Sequence, residues 1–356
     1  MNRRDLIRAS SAMLLGIAPW SRAQARKSVL ADMHSHFGMH LPRPFGLDMR
    51  QHMEKTGTTL LAWAIVDDGR WIVRGPSGLA QRKQPQAGEL WAYFQSRAAE
   101  FQAKLTEWKL AMALTPADVD AAAAGEPRVL LATEAANFLE GRLDRVAAAH
   151  AMGVRHLQLV HYIANPIGDY QTAEPKHGGL TRFGIDVVQE CKRLGIVVDL
   201  AHGTPALVDA AMAASDLPMV WSHSWISHEG GPWNGAAYLA RSLALPVARK
   251  IAARGGVVGL WSVRMTAGDA QYRVRTSGSY ADEIVRMCDL IGPDHVAFGT
   301  DLEGVGPDRA LTDYGDLRDV ADSLLKRGLG ESALEGVLFG NYARVVKRAM
   351  AAGRSA

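Results

Sequence analysis

From residue 29 onward, short apolar runs alternate with longer stretches whose apolar positions recur at helical spacing. The short runs are 29–37, 60–66, 129–135, 156–162, 197–202, 218–224, 257–263 and 295–303. Made largely of Val, Leu, Ala and Trp and bounded by polar or glycine breaks, they predict strands. Helical patterns fall between them at 143–152, 183–194, 205–214, 245–253 and 281–290, and two more follow the last run at 317–327 and 333–349. Strands that alternate with helices predict parallel βα units, and eight such units are what a closed (β/α)8 TIM barrel needs. An open doubly wound sheet is the alternative, weakened because no glycine-rich phosphate loop follows the first run.

One interval breaks the rhythm. Residues 67–128 are too long for a single crossover and hold a basic, Trp-containing stretch (Arg70, Trp71, Arg74, Arg82, Lys83) and a long helical pattern over 90–112. The expectation is an insertion carried over the barrel mouth, within a single domain spanning 26–356.

Composition adds three constraints. At 356 residues, 48% hydrophobic and 22% charged, the chain suits one large globular barrel. No apolar run reaches the roughly 20 residues of a membrane span. Residues 1–25 read as an address: Arg3-Arg4 precede the apolar run Met13-Leu14-Leu15-Gly16-Ile17-Ala18, and Ala23-Gln24-Ala25 supplies a small-x-small cleavage site. Twin arginines before a modest apolar core predict a twin-arginine (Tat) signal peptide and a periplasmic or secreted protein. This segment carries four arginines and one aspartate, so without it the net charge of +3 falls to about zero. The basic balance therefore predicts no nucleic-acid partner. Cys191 and Cys288 both lie in helical patterns and are expected to be free core thiols.

The chemistry sits at the ends of the apolar runs. His34 and His36 close the first, Glu134 the third, His161 the fourth, His202 the fifth, His223 the sixth and Asp301 the eighth. In a parallel barrel these ends converge on one rim, where barrel active sites lie. Residues two apart on a strand face the same way, so His34 and His36 can reach one ion. Imidazole and carboxylate are zinc ligands, and one carboxylate can hold two ions about 4 Å apart. Any one strand-end histidine is more often a satisfied polar group; six strand ends bearing such residues point to a metal-dependent hydrolase. Asp199, three residues before His202, faces the other side and reads as a buried structural acid.

These residues lie in motifs that resemble the membrane (renal) dipeptidase family of zinc metallopeptidases, within the amidohydrolase superfamily. They are Asp32-Met33-His34-Ser35-His36, Ala132-Thr133-Glu134, Leu159-Val160-His161, Asp199-Leu200-Ala201-His202, Trp221-Ser222-His223-Ser224 and Phe298-Gly299-Thr300-Asp301. Gly179-Leu180-Thr181-Arg182-Phe183-Gly184 and Gly340-Asn341-Tyr342-Ala343-Arg344-Val345 are similar as well, so the resemblance runs in order from about residue 29 to 348. It implies a (β/α)8 fold and two zinc ions, one on His34 and His36, the other on His202 and His223, with Glu134 bridging. It further implies His161 at the scissile carbonyl, Asp301 as the proton carrier, and attack on a small amide, first of all a dipeptide, by hydroxide held between the metals.

Two departures stand out. The family usually has His-x-Asp at the first strand where this chain has His34-Ser35-His36, which adds one positive charge to the site. The loop after His223 reads Trp225-Ile226-Ser227-His228-Glu229-Gly230-Gly231-Pro232-Trp233-Asn234, without the arginine pair that grips the substrate carboxylate in the family. Arg241, or Arg70 and Arg74 of the insertion, are the available replacements, and Trp225 joins Arg241 as an expected substrate contact. Two other functions share the metal site: hydrolysis of N-acyl amino acids, lactones or related small amides and esters, and metal or solute binding without catalysis. A homodimer is left open.

Overall fold

The structure is a computed structural model that describes residues 28–38, 48–75, 78–228, 239–264 and 272–353. The segment expected to direct export, and residues 229–234 with Trp233, lie outside that set.

Eleven strands are described: β1 Leu30–Ser35, β2 Thr58–Val66, β3 Ile72–Gly75, β4 Gly78–Gln81, β5 Ala111–Met112, β6 Arg128–Glu134, β7 Val154–Gln158, β8 Val197–Asp199, β9 Val220–Ser224, β10 Val257–Leu260 and β11 Val296–Phe298. Eight form one parallel sheet in the order β1-β2-β6-β7-β8-β9-β10-β11, with β5 paired to the start of β6. The ends of this sheet meet where the chain leaves β1 and β11. There Asp301 N–H donates to His34 O at 2.9 Å, and His36 N–H donates to Leu302 O at 2.9 Å. The result is the expected (β/α)8 barrel, and its closing seam carries three of the predicted site residues.

Alternation decides which side chains fill the barrel. On β2, Leu60, Ala62 and Ala64 share a cluster with Leu130 and Ala132 of β6, while Leu61, Trp63 and Ile65 belong to the cluster under the helices. Glu134 is two residues beyond Ala132, so it inherits the inward parity. Its neighbour in register on β2 is Val66. The C-terminal helix Asn341–Gly353 packs Tyr342, Val345, Val346 and Ala349 against the same inner cluster. Tyr342 Oη is 2.9 Å from His156 Nδ1, whose other nitrogen is 3.2 Å from Asp199 Oδ2. His156 and Asp199 are thus buried structural groups, as the position of Asp199 in the sequence suggested. Gly299 is required sterically: a Cβ there would sit 1.6 Å from Ser222 O on β9.

All eight apolar runs become barrel strands, but β7, β8, β10 and β11 stop three to five residues earlier than the apolar pattern. His202 and Asp301 adopt left-handed backbone at φ 68° and 53°, which no strand accommodates. His161, His202 and Asp301 therefore stand on the turns just past their strands. Non-glycine residues at positive φ carry local strain, and with Glu303 at φ 69° three of them lie at the site, where function outranks ideal geometry.

Segment 67–128 holds a hairpin, a long helix, the short strand β5 and a second helix, Pro116–Ala123. Strands β3 and β4 form an antiparallel hairpin. Helix Glu89–Glu107, by contrast, lies in the outer layer, where Phe101 packs 5.3 Å from Trp63 and Phe94 stacks on Phe138 at 4.0 Å. The hairpin reaches the mouth, and the helix, which takes the ordinary place of a crossover helix, sends Tyr93 to it. Cys191 and Cys288 are buried free thiols, and burial pushes Cys288 up to about 12. No helix among the described residues is long and apolar enough to cross a membrane.

Candidate active site

Glu134 lies at the centre of the rim. Its Oε1 is 3.2 Å from His161 Nε2, 3.5 Å from His202 Nε2, 3.5 Å from His223 Nε2 and 3.6 Å from His34 Nε2. Its Oε2 is 3.2 Å from His36 Nε2, which in turn lies 3.1 Å from Asp301 Oδ1. One carboxylate thus faces histidines on both sides, and all seven residues singled out at the strand ends converge, each at most 5% exposed.

The ring orientations suit metal ligation. His36 Nδ1 donates to Ala64 O at 2.8 Å, and His223 Nδ1 lies 2.8 Å from Ser222 Oγ. With the outer nitrogen held by protein oxygens, Nε2 is the atom turned to the centre, the arrangement that outer partners impose on metal-bound histidines. His34 Nε2 and Asp301 Oδ1 are buried and make no hydrogen bond among the described residues. Three overlapping groups can each hold an ion: His34, His36 and Asp301; His34, Glu134 and His223; Glu134, His161 and His202.

Charge divides the histidines. Burial alone pulls His36 and His161 down. Asp301 and Glu134 beside His36, and Asp68 and Glu134 beside His161, outweigh that and push each up to about 10. His202 and His223 are held well below the usual histidine range by burial, reinforced by the Arg241 guanidinium and neighbouring imidazoles. These two are neutral and ready as ligands, whereas His36 must shed a proton to bind. Metal uptake at pH 7 should therefore release about one proton or more per chain, and affinity should weaken as pH falls. Titration calorimetry in buffers of different ionisation enthalpy reads this directly; heats that do not depend on the buffer refute it.

Asp301 is held by a partner not foreseen from the sequence, since Trp261 Nε1 donates to Asp301 Oδ2 at 2.8 Å. Gly304 passes so close that a Cβ would lie 1.9 Å from Asp301 Oδ1. The second strand end also contributes: Asp68, buried behind Val66, has Oδ1 2.8 Å from His161 Nδ1. An acidic pair directly after an apolar run, Asp67-Asp68, was the available signal.

The rim opens into a cavity of about 340 Å³. His36, Glu134, His161, His202, His223 and Asp301 line it on the metal side. Tyr162, Trp261 and Tyr93 line it with Arg70, Ile72 and Leu79, the last two from the β3–β4 hairpin. Arg70 is exposed, its guanidinium 4.5 Å from the Tyr93 ring centroid.

Trp225 and Arg241 do not line this cavity, which corrects the expectation that both touch substrate. Beyond β9 the chain pairs with 241–243, Leu243 N–H donating to Trp225 O and Ser227 N–H to Leu243 O, both at 2.9 Å. That pairing turns both side chains inward. Trp225 is buried 5.0 Å from the Tyr272 ring. Arg241 donates to Gln171 Oε1 at 2.8 Å and to His223 O at 3.3 Å, with its guanidinium 5.2 Å from the Trp261 ring. It acts on the site from behind, as a buried charge.

The family described as membrane dipeptidase (peptidase family M19) matches residues 95–356. Dipeptidase aclJ of Aspergillus oryzae is 30% identical over 226 residues, 61% of this chain and 50% of that protein. Dipeptidase 3 of Rattus norvegicus is 28% identical over 228 residues, 62% of this chain and 44% of that protein. The chain thus spans about half the length of the curated relatives it matches. Among solved structures, a metallopeptidase from Rhodobacter sphaeroides, bound to a phosphinate mimic of the dipeptide L-Ala-D-Ala, superposes with a TM-score of 0.74 at 20% identity, covering 90% of this chain and 99% of that one. An amidohydrolase from Pseudomonas aeruginosa superposes with a TM-score of 0.72 at 20% identity, covering 93% and 100%.

Proposed function

The chain belongs to the membrane dipeptidase family, peptidase family M19, and on that premise we propose that it is a zinc-dependent dipeptidase. The observation that carries this reading is Glu134, a buried carboxylate with imidazoles ranged against both oxygens and Asp301 alongside. His34 and His36 would hold one zinc ion, His202 and His223 a second, and Glu134 would join both. When bound, zinc polarises a carbonyl and lowers the pKa of water to about 7.

The remaining work falls to protein side chains. Asp301 Oδ1 accepts a proton from the attacking water and returns it to the departing amine, while Trp261 Nε1–H keeps the carboxylate aimed. His161 Nε2–H donates to the oxygen of the scissile carbonyl as charge develops there. Tyr162 and Trp261 wall off bulk water, and Ile72 and Leu79 offer an apolar surface to a substrate side chain.

Arg70 takes the free carboxylate of the dipeptide, since it lines the cavity and Arg241 does not. Its exposure tempers the effect. Arg70→Ala should raise KM for a dipeptide about five- to tenfold at nearly constant kcat, the loss of one partly solvated charge-assisted contact. An unchanged KM at low salt would move carboxylate recognition elsewhere.

Export through residues 1–25 to the periplasm belongs to the same proposal, on the twin arginines, apolar core and small-x-small site. The test of function is a zinc-loaded sample assayed on dipeptides, N-acyl amino acids and lactones, with metal counted per chain. Dipeptide turnover with about two ions per chain is the expected result, from the two ligand pairs either side of Glu134. Turnover of the other classes alone, or none, defeats the reading. The dipeptidase relatives favour the dipeptide over those alternatives.

A further inference from the structure

Asp68 lies ahead of the stretch that matches the family. Its side chain is fully buried at the exit of β2, and both carboxylate oxygens are engaged on the exit of β7. Oδ1 is 2.8 Å from His161 Nδ1, and Oδ2 accepts the Tyr162 N–H at 3.2 Å. The backbone is pinned as well, because Trp71 N–H donates to Asp68 O at 2.8 Å.

We propose that Asp68 is a positioning residue that fixes the His161 ring so that Nε2, and not Nδ1, is presented to the scissile carbonyl. The proposal rests on the dipeptidase reading given above. A carboxylate only accepts hydrogen bonds, so the nitrogen facing it carries a hydrogen, and the opposite nitrogen must face the site. That nitrogen is 3.2 Å from Glu134 Oε1, on the wall of the cavity where a substrate carbonyl would lie. Asparagine cannot reproduce this. It has one acceptor oxygen for two N–H groups, so its NH2 must oppose either His161 Nδ1 or the Tyr162 amide.

The neighbouring Asp67 supplies a control. It is equally buried at the same strand exit, but its oxygens accept from Asn137 Nδ2 at 2.7 Å and Phe138 N at 2.9 Å, not from the site. In zinc-loaded protein, Asp68→Asn should lower kcat for a dipeptide about 10- to 100-fold, the usual cost of losing an outer partner of a site histidine. KM and zinc content should stay within about twofold, and Asp67→Asn should keep kcat within about threefold while lowering the melting temperature. Histidine ¹⁵N spectra of the zinc-loaded protein, assigned by the signal missing from His161→Gln, should show His161 Nδ1 protonated in the wild type. In Asp68→Asn the Nδ1 proton should be lost or only partly present, while Nε2 keeps the hydrogen it donates to the site.

Equal kcat losses in the two variants, a loss confined to KM or zinc content, or an Nδ1 proton that is absent from the wild type or unmoved in Asp68→Asn overturns the proposal. Should the wild type cleave no dipeptide, the functional reading fails instead, and the ¹⁵N measurement still decides the placement of His161.

Discussion

Asp301→Asn should leave the metals bound and lower kcat for a dipeptide by about 10²–10⁴-fold, the range a positioned acid–base group supplies. The substitution is chosen so that little else moves. Asparagine tolerates the left-handed backbone found at φ 53°, and its oxygen can keep the Trp261 hydrogen bond now made by Oδ2. What changes is the other terminus, 3.1 Å from His36 Nε2, which becomes an NH2 unable to accept a proton. KM should hardly change, since Asp301 is not the group that anchors the substrate carboxylate. A variant within tenfold of wild-type kcat removes Asp301 from the chemistry. Loss of an ion alongside activity would instead make it a ligand, as its grouping with His34 and His36 permits.

Glu134→Gln should strip the site of metal, with ion affinity falling by about 10²–10³-fold or more, since breaking a buried charge pair from one side costs about 3–5 kcal/mol. The carboxylate presents Oε1 to four imidazole nitrogens and Oε2 to a fifth. An amide keeps one acceptor and turns an NH2 toward the other side, so one ion loses its shared ligand outright. The fold should survive, because the β6 ladder and the Asp67 N–H bond to Glu134 O involve only backbone. Metal content after dialysis against a weak chelator is the measurement. Two ions retained with unchanged affinity would mean that Glu134 does not bridge.

Much of the site could be read from linear order. His34, His36, Glu134, His161, His202, His223 and Asp301 end apolar runs, and a parallel barrel brings run ends together whatever loops intervene. Trp225 and Arg241 misled because their type and loop position suggested contact with substrate, whereas pairing of 225–227 with 241–243 turned both into the core. The early ends of β7, β8 and β11 were hidden for a related reason: hydrophobicity reports burial, and the residues past those strands are buried without being extended.

The chain alone determined which segments become strands and helices, their order, and the chemical kinds of side chain delivered to the rim, because periodicity and run-end position act over a few residues. Closure of the ring decided the partnerships: Asp68 with His161, Trp261 with Asp301, Asp32 with Thr300, and the hairpin against the cavity. Those pairs lie 40 to 268 residues apart. A donor finds its acceptor across such distances only once packing has set the register, so no local pattern announces the match.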